Sequence, residues 1–520
     1  MSAPERPALP AGLDPLVDAD AMHATDAWAI DELGMGGGAL MEAAGAALAD
    51  AVVRFAPDGL VVVVCGAGNN GGDGYVAARL LRDRGRPVRL VSTVDEGRLR
   101  GDAADARDAV GAGEPWGAAS LDGAAVVVDA ILGTGARDAP RGTAAEAIEV
   151  LEATDVPVVA CDVPSGVDAT TGETPGEHAV AATVTVTFHA AAPGHWIGPG
   201  KARAGRLQVA PIGIPARPGP DVPEPWCGVL TERLVRALPT RATDGTKFRS
   251  GHVVVVGGSP GMSGAPCLAA HGAMRAGAGY ATVAAPRSIE AAIVSRAPTE
   301  TLGLVLPCDE DGGVTAEAAD PIMDALGGHG GTLVVGPGLG RGGSRGALIR
   351  ELVARLEGPV VFDADALAAV AGDPGALAGP DPGGRQAVLT PHAGELARLL
   401  DVPTPEVAAR RLHHARTAAT RSGAVVVLKG DDTIVAAPDG RVAVSPGGVP
   451  GLATAGTGDV LAGTIGALLA RGTDAFEAAA TGVWLHLRAG ALATEEHGPD
   501  GVIARDVAER LGRARRDATA

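Results

Sequence analysis

Aromatic side chains and cysteines are both scarce in this chain of 520 residues. Phe, Trp and Tyr make up 2% of the sequence, so the cores must be aliphatic and few rings are available for stacking on nucleic-acid bases. The five cysteines, Cys65, Cys161, Cys227, Cys267 and Cys308, include no CxxC pair. This spacing argues against a disulfide framework and against a zinc site, and it predicts buried, reduced thiols.

Positive charge is also in short supply. The chain has 43 Lys and Arg against 62 Asp and Glu, a formal net charge of −19, which argues against binding to nucleic acids or anionic membranes. It has no uncharged apolar run long enough to span a membrane, and no apolar stretch typical of a signal peptide near its start. We therefore expect a cytoplasmic protein whose partners are small molecules.

The sequence does contain a regular alternation of continuous apolar runs with helical segments. Its length exceeds one hydrophobic core, and buried strands that alternate with helices indicate parallel sheets covered on both faces. Strands are predicted at residues 60–65, 88–91, 125–129, 156–161 and 183–188, then at 252–257, 332–335, 359–362, 387–389 and 424–428. The six prolines of residues 211–225 separate the two series. We predict an α/β fold with domains over residues 1–218 and 228–520, joined by a linker over 219–227.

Residues 65–74 of the first half read CGAGNNGGDG, directly after a predicted strand and before a helix predicted at residues 75–84. Glycines at such a turn let a ligand approach the backbone, and the N-terminus of the following helix offers free N–H groups to a phosphate. A plain tight turn is the simpler interpretation, but a turn needs only one or two such residues. The segment therefore indicates a binding site.

Polar side chains also mark the ends of two other predicted strands. Asp129 ends one, and Asp162 and Ser165 follow the next. Ligands of open α/β sheets bind beyond the carboxyl ends of strands, so we expect these groups to converge with Asn70. Their oxygens suit a hard cation, or a substrate on which a carboxylate moves protons. Each aspartate taken alone is equally well explained as a helix cap.

With these motifs, and with residues 29–31 and 40–45, the chain resembles the N-terminal domain of the NAD(P)H-hydrate repair enzymes over residues 18–212. That domain epimerises the hydrated, damaged nicotinamide cofactor. The resemblance implies a Rossmann-like three-layer sandwich, with Asp162 at the reacting ring and K⁺ bound by Asn70, Asp129 and Ser165. It also implies substrate contacts from Asn69, Asn70, Gly71, Gly72, Asp73, Gly133, Thr134, Gly135, Ala136, Arg137, Asp138 and Ala139. The Gly-Gly-Gly of residues 36–38 departs from the bulkier segment usual in the family.

The second half contains the most specific segment, PGLATAGTGDVLAG at residues 450–463. Glycines before an apolar helical pattern place the start of a helix at Gly456, Thr457 and Gly458. Their successive N–H groups form a nest for a phosphoryl group whose charge grows during transfer. Asp459 then accepts a proton from a substrate hydroxyl. A capping aspartate is the plain alternative, but a cap does not need the Gly-Thr-Gly before it.

This segment resembles the centre of the ribokinase-like superfamily. With residues 255–265, 335–340, 362–367, 389–395 and 428–430, the chain resembles the ADP-dependent NAD(P)H-hydrate dehydratase domain over residues 228–515. The resemblance implies that ADP phosphorylates the hydroxyl of S-NAD(P)HX and that phosphate then leaves, giving NAD(P)H, AMP and phosphate. Asp459 would be the base, and Mg²⁺ would neutralise the phosphoryl charge.

The same resemblance assigns binding residues. It implies contacts to the hydrate from Ala265, Gly340 and His392, contacts to the phosphoryl from Gly456, Thr457 and Gly458, and contacts to the nucleotide from Lys429, Gly430, Asp431, Asp432 and Thr433. His392 is open to a second interpretation, as a structural histidine. The chain departs from the family at Thr246-Lys247, which replaces His-Lys, and at Val449-Pro450-Gly451, which replaces Asn-Pro-Gly.

Two other functions stay open at this point. One is a ribokinase-like vitamin kinase with an accessory Rossmann-like binding domain, which would share the Gly-x-Gly-Asp centre. The other treats the first half as a non-catalytic scaffold or RNA-associated module. The acidic balance and the presence of Asn70, Asp129, Asp162 and Ser165 argue against the second. The prediction is a bifunctional enzyme that epimerises R- and S-NAD(P)HX, dehydrates the S form and assembles as a homo-oligomer.

Overall fold

The computed structural model describes residues 7–216, 219–327, 331–379 and 385–519. Within these ranges the chain forms two compact units. The first unit is Leu16–Pro225, and the second runs from Trp226 to the C-terminus together with the segment that precedes Leu16. None of the helices in the described ranges combines the length and apolar character needed to cross a membrane.

The first unit is built on a seven-stranded sheet in which every pairing is parallel. Following β1 (Leu13–Leu16), its strands in chain order are β2 (Leu60–Cys65), β3 (Val88–Ser92), β4 (Glu114–Pro115), β5 (Ala124–Ala130), β6 (Val158–Cys161), β7 (Val184–Phe188) and β8 (Arg206–Ala210). Its helices are α1 (Ala19–Asp31), α2 (Gly37–Phe55), α3 (Asn69–Asp83), α4 (Gly101–Val110), α5 (Gly142–Glu152) and α6 (Gly200–Ala204). The strand order is β4-β3-β2-β5-β6-β7-β8.

The buried valines of β2 show how this sheet is covered. Val61 and Val63 belong to a core that includes Leu48 of α2. Val62 and Val64 belong to a separate core that includes Ile148 of α5. Successive strand residues point to opposite faces, so helices cover both sides. The predicted three-layer, Rossmann-like sandwich is confirmed.

The second unit contains an eleven-stranded sheet, ordered β1-β9-β18-β17-β16-β15-β14-β13-β10-β11-β12. Its further strands are β9 (Cys227–Leu230), β10 (His252–Val256), β11 (Tyr280–Pro286), β12 (Leu302–Leu306), β13 (Thr332–Val335), β14 (Val360–Phe362), β15 (Ala387–Leu389), β16 (Val425–Leu428), β17 (Ile434–Ala436) and β18 (Val442–Val444). The strands from β10 to β16 pair in parallel, whereas β17 is antiparallel to both its neighbours. The α/β class predicted for this half is confirmed.

Helices again connect the strands of the second unit. They are α7 (Arg233–Arg236), α8 (Gly264–Ala276), α9 (Glu290–Arg296), α10 (Ala319–Gly327), α11 (Gly343–Arg355), α12 (Asp365–Ala368), α13 (Ala393–Leu400), α14 (Thr404–Ala409), α15 (Arg411–Ser422), α16 (Thr457–Ala470), α17 (Ala475–His497) and α18 (Ala504–Thr519). The core joins α8, α16 and α17 to the central strands, for example through Ile465 and Val334.

The predicted boundaries need two corrections. The segment before Leu16 belongs to the second unit, because β1 adds to the edge of its sheet beside β9. The linker predicted over residues 219–227 runs into a strand, since Cys227 is the first residue of β9 and is buried. Residues 1–6 and 217–218, which fall within the predicted first domain, lie outside the described residues.

Candidate active sites

The glycine segment of the first unit is mostly helix, which corrects the loop predicted before residue 75. Helix α3 begins at Asn69, and Gly68 is its N-cap. A Cβ on Gly71 would lie 2.2 Å from the Gly66 carbonyl oxygen, and one on Gly74 would lie 2.7 Å from the Ala130 Cβ. These glycines therefore let the first turns of α3 approach the ends of β2 and β5.

A cavity of about 440 Å³ lies at these strand ends. Of the residues predicted to contact substrate, it is lined by Asn69, Asn70, Asp73, Gly133, Thr134, Gly135 and Ala136, and the predicted catalytic residue Asp162 also lines it. Arg137 forms an exposed ion pair with Asp20, and Gly71, Gly72, Asp138 and Ala139 are not part of the described lining. The segments predicted to converge do converge, but only part of each one faces the cavity.

Asp162 is held firmly at the wall of this cavity. Its φ of +65° is in the left-handed region, which is uncommon for a residue with a side chain. One carboxylate oxygen accepts the Thr134 N–H at 2.9 Å, and the other accepts the Thr187 hydroxyl at 3.0 Å. His195 Nε2 donates to the Asp162 carbonyl at 2.8 Å. Thr187 and His195 were missed in the sequence, where no pattern links them to Asp162.

Three more aspartates line the same cavity, Asp26, Asp73 and Asp102. Burial raises the pKa of Asp73 well above its usual range, and the negative charges of Asp162 and Asp26 raise it further. Burial likewise raises the pKa of Asp26. The cavity therefore contains two carboxyl groups whose surroundings favour the protonated form, and such groups can exchange a proton with a substrate.

Of the three predicted cation ligands, Asn70 lines this cavity, and Asp129 and Ser165 are not part of its described lining. Asp129 is fully buried and accepts the Ser165 hydroxyl at 2.6 Å and the Ser165 N–H at 2.8 Å. Asn70 lies close to this pair. Ser165 Oγ also contacts the Leu132 carbonyl oxygen, and a Cβ on the next residue, Gly133, would lie 3.1 Å from the Asn70 Cγ. Burial raises the pKa of Asp129 to about 6, and the hydrogen bonds from Ser165 oppose that rise. A buried negative charge is thus present without a cationic side chain among its hydrogen-bond partners.

Asn70 supplies the clearest sign of a missing ligand in this unit. Both polar atoms of its side chain are buried, yet neither has a hydrogen-bond partner in the part of the chain that the structure describes. Leaving a buried amide unpaired costs about 1–3 kcal/mol per group. The Asn70 amide oxygen, the Asp129 carboxylate and the Ser165 hydroxyl are all oxygen donors, which hard cations prefer. These residues fit the predicted K⁺.

In the second unit, the turn before Asp459 has the geometry predicted from its sequence. Helix α16 begins at Thr457, and Gly456 precedes it with φ +91°. The positive φ favours glycine at this position, and a Cβ there would lie 2.6 Å from the Leu268 Cδ1, so the Leu268 side chain would have to move. The Thr457 hydroxyl donates to the carbonyls of Leu452 and Thr454. The side chain of Thr457 therefore secures the turn, which leaves the N–H groups of the first helical turn for a ligand.

The Asp459 carboxyl is surrounded by other charged groups. Its pKa is raised to about 8, first by burial and then by the negative charges of Asp363, Asp365 and Glu395. Lys429 opposes this rise, with its Nζ 3.2 Å from Asp363 Oδ1 and 3.8 Å from Glu395 Oε2. Asp363 and Glu395 are site residues that sequence reasoning did not assign, although the motifs around them had been noted.

Two of the residues predicted to contact the hydrate, Gly340 and His392, donate backbone N–H groups to carboxylates of this centre. The Gly340 N–H donates to Asp365 at 2.9 Å, and a Cβ on Gly338 would contact the Ala265 side chain at 3.1 Å. His392 caps α13: its Nδ1 accepts the N–H groups of Gly394 and Glu395. The structural interpretation of His392 is therefore observed. Its side chain is also 55% exposed, and its contact with the hydrate stays a prediction.

The segment predicted to hold the nucleotide, residues 429–433, is a tight loop after β16. The Thr433 hydroxyl donates to the Gly430 carbonyl at 2.7 Å. Arg411 forms a two-point ion pair with Asp432, which is 2% exposed. The Asp432 side chain therefore shapes the loop, and Arg411 is a supporting residue that the sequence did not reveal. Contacts of Asp431 and of the loop N–H groups with a nucleotide stay predictions.

Buried carboxyl groups in both units, with a glycine turn at a helix start beside Asp459 in the second, define an α/β enzyme with two candidate sites. Residues 253–513 match the family described as NAD(P)H-hydrate dehydratase, and residues 37–194 match that described as YjeF-related protein N-terminus. The chain belongs to the bifunctional NAD(P)H-hydrate repair enzymes. The enzyme of that name from Moorella thermoacetica is 38% identical over 95% of this chain and 96% of its own. The one from Thermanaerovibrio acidaminovorans is 39% identical over 95% of this chain and 97% of its own.

A solved structure is also similar to the second unit. The crystal structure of the ADP/ATP-dependent NAD(P)H-hydrate dehydratase from Bacillus subtilis, co-crystallised with ATP and Mg²⁺, is 31% identical and has a TM-score of 0.49. The match spans 56% of this chain and 98% of the Bacillus subtilis chain. Family membership confirms the predicted enzyme class, an NAD(P)H-hydrate epimerase joined to an NAD(P)H-hydrate dehydratase. It decides against the vitamin kinase.

Proposed function

We propose that the first unit interconverts R- and S-NAD(P)HX at Asp162 and that the second dehydrates S-NAD(P)HX at Asp459 with ADP. The observation that carries the dehydratase assignment is the placement of Asp459 directly after a glycine turn and beside Lys429. A carboxylate there takes the proton of the substrate hydroxyl, while the N–H groups of the turn and the Lys429 ammonium stabilise the transferring phosphoryl.

The reaction at Asp459 proceeds in two steps. The deprotonated hydroxyl oxygen attacks the β-phosphorus of ADP, the bond between that phosphorus and the bridging oxygen breaks, and AMP leaves. The phosphorylated ring then loses phosphate from its carbon together with a proton from the neighbouring carbon, which restores the double bond of NAD(P)H. Residues 429–433 hold the nucleotide, and Ala265, Gly340 and His392 hold the hydrate.

Mg²⁺ fits this site as an ion brought by the nucleotide. Among the described residues, no group of three or more His, Cys, Asp or Glu side chains is arranged to hold a metal. The nearby carboxylates already have partners within the protein. Asp363 and Glu395 form ion pairs with Lys429, and Asp365 accepts the Gly340 N–H. Mg²⁺ commonly binds one or two carboxylates and the substrate phosphates, so it would neutralise phosphoryl charge without a protein cage.

K⁺ is the cation we assign to Asn70, Asp129 and Ser165. The unpartnered amide of Asn70 and the buried carboxylate of Asp129 support this assignment. Epimerase activity is expected to rise when KCl replaces choline chloride at constant ionic strength, and the Asn70→Ala variant should lose this response. Dehydration of S-NADHX by the same sample is the control, because its site lies in the other unit. Equal epimerase rates in both salts would reject the assignment.

A matched pair of variants tests the division of labour between the two sites. Asp162→Asn should abolish conversion of R-NADHX and leave the ADP-dependent dehydration of S-NADHX unchanged. Asp459→Asn should do the reverse. Recovery of absorbance in the reduced-nicotinamide band measures dehydration, and chromatographic separation of the R and S forms measures epimerisation. If Asp162→Asn still converted the R form, or Asp459→Asn still dehydrated the S form at the normal rate, that assignment would be wrong.

We also propose a homo-oligomer that acts in the cytoplasm on NADHX or NADPHX. The small-molecule chemistry of the family supports the substrates. Light scattering after size exclusion measures the mass of the assembly, and a monomeric mass would reject the oligomer. Rates with each hydrate, and with ADP against ATP, measure the preference.

A further inference from the structure

His486 is a buried histidine of the second unit that lies next to the glycine turn. It belongs to α17, is 7% exposed, and places its Nε2 2.9 Å from the backbone oxygen of Thr457. A carbonyl only accepts hydrogen bonds, so Nε2 carries the hydrogen. The pKa of His486 is lowered to about 4, mainly by burial and also by the nearby charge of Lys429. The donor is therefore a neutral imidazole at neutral pH.

The Thr457 carbonyl is coupled to the phosphoryl nest by covalent geometry. It shares one planar trans peptide with the Gly458 N–H, and the two groups of such a peptide point in opposite directions. Fixing the carbonyl therefore fixes the direction of the Gly458 N–H. That N–H is in the first turn of α16, so it has no carbonyl partner within the helix. Lys429 lies against this position, since a Cβ on Gly458 would be 3.3 Å from its Nζ.

The turn is thus held by two separate contacts. The Thr457 hydroxyl secures the loop before the helix through Leu452 and Thr454. The His486 imidazole instead secures the peptide that carries the Gly458 N–H. Of these two contacts, only the second acts directly on the peptide that carries the Gly458 N–H, where it adds to the hydrogen bond that the same carbonyl accepts within α16.

We propose that His486 is a positioning residue of the dehydratase, which aims the Gly458 N–H at the phosphoryl group during its transfer. The inference rests on the proposed function of the Gly456–Gly458 turn. The contribution of such a donor is largest when negative charge has developed in the transition state. Loss of the His486 contact should therefore lower kcat for dehydration, while the affinity for AMP, which lacks the transferred group, should change little.

The test compares His486→Gln with His486→Leu in the full chain. The Gln amide nitrogen replaces Nε2 as a donor, whereas Leu fills part of the same space without one. In the S-NADHX and ADP assay, kcat of the Leu variant should fall about ten- to hundred-fold, the usual effect of losing a supporting contact. The Gln variant should recover most of that loss. The dissociation constant for AMP, measured by calorimetry, should stay within about two-fold of the parent value in both variants. AMP lacks the transferred phosphoryl, so its binding does not depend on a donor that acts on that group in the transition state.

Two further variants keep the result interpretable. If the Leu variant does not fold, His486→Asn replaces it, because its shorter amide does not reach Thr457 and leaves a smaller cavity than Ala would. A Leu or Asn variant with the parent kcat would overturn the inference, as would a parallel loss of kcat and AMP affinity that Gln does not restore. The Asp459→Asn variant distinguishes a failure of this inference from a failure of the proposed function. If Asp459→Asn is inactive while His486→Leu keeps the parent rate, the proposed function holds and only the role of His486 is wrong.

Discussion

The Asp459 carboxyl must be ionised to act as a base, yet its surroundings favour the protonated form. Burial and the charges of Asp363, Asp365 and Glu395 raise its pKa to about 8. The competent fraction of the free enzyme therefore grows as the pH rises through that value. We predict that kcat/KM for S-NADHX rises with pH and levels off above about 8, since this ratio reports the free enzyme.

The control for this profile is Lys429→Met. Lys429 is the cation that opposes the rise in the pKa of Asp459, so removing it should move the inflection to higher pH. Steady-state rates between pH 6 and 10, with the hydrate below its KM, measure both curves. An inflection that stayed in place after loss of Lys429, or a rate that fell as the pH rose from 6 to 8, would contradict the assigned cause.

The same shift in pKa predicts a trade between activity and stability at this residue. The folded pKa of Asp459 lies above the ordinary value of 3.8, so the folded state binds the proton more tightly than the unfolded state does. This contribution to stability is fully present below about pH 3.8 and is lost as the pH rises to about 8. Asp459→Asn should therefore raise the Tm of the second unit at pH 9 and leave it nearly unchanged at pH 4. Equal effects at both pH values would contradict the shift.

At the scale of an element, we predict that the glycines of helix α3 are needed because they let the helix pack closely against neighbouring strands. Ala normally stabilises a helix relative to Gly by about 0.5–1 kcal/mol. At Gly74 a Cβ would meet Ala130 Cβ at 2.7 Å and Cys65 Sγ at 2.8 Å. Gly74→Ala should therefore lower the free energy of unfolding by about 1–3 kcal/mol through overpacking. Gly512→Ala in α18, where nothing lies within 4 Å, is the control and should stabilise. Urea unfolding measures both, and a stabilised Gly74→Ala would refute the packing role.

Helix α3 also shows where sequence reasoning succeeded and where it failed. Strands β2, β13 and β15 were predicted to the residue, because a buried parallel strand is a continuous apolar run that ends at polar or turn residues. The start of α3 at Asn69 was missed because Gly71, Gly72 and Gly74 have low helix propensity, and their reason for being there is contact with other elements. The strands β1, β17 and β18 have only three or four residues, too few to show a clear pattern, and β1 and β18 both pair with β9, which is distant in sequence from each of them.

In the candidate sites, too, local sequence patterns predicted some residues, and contacts between distant elements determined the others. The candidate carboxylates Asp162 and Asp459 were identified from the sequence because each lies in a strong local pattern, Asp162 directly after strand β6 and Asp459 directly after the Gly-Thr-Gly at the start of α16. Their partners were not, because Thr187 is 25 residues from Asp162 and His486 is 29 residues from Thr457. Such contacts depend on which strands and helices become neighbours. Local spacing identifies the reacting group, and the tertiary fold supplies the residues that hold it.

At the scale of the whole molecule, the second unit is not continuous in sequence. The segment before Leu16 belongs to it, although the whole first unit lies between that segment and Trp226. Leu13 precedes the first unit, yet it is 3% exposed in a core with Leu230 and Leu234 of the second. The Thr231 hydroxyl donates to the Gly12 carbonyl at 2.7 Å, and a Cβ on Gly228 would lie 2.9 Å from the Leu13 Cβ. This segment therefore covers the edge of the sheet at β9, which would otherwise expose unpaired backbone groups.

We predict that Leu13→Ala destabilises the second unit rather than the one it precedes. The buried leucine is replaced by a cavity, so the free energy of unfolding of the second unit should fall by about 2–5 kcal/mol. Calorimetry of the full chain should resolve the transitions of the two units, and AMP should raise only that of the second, because a ligand stabilises the unit that binds it. Leu48→Ala, in the core of the first unit and fully buried, is the matched control and should lower the other transition. If Leu13→Ala lowered the transition that AMP does not affect, residues 7–15 would belong with the epimerase unit, and a dehydratase fragment that starts at Trp226 would be complete without them.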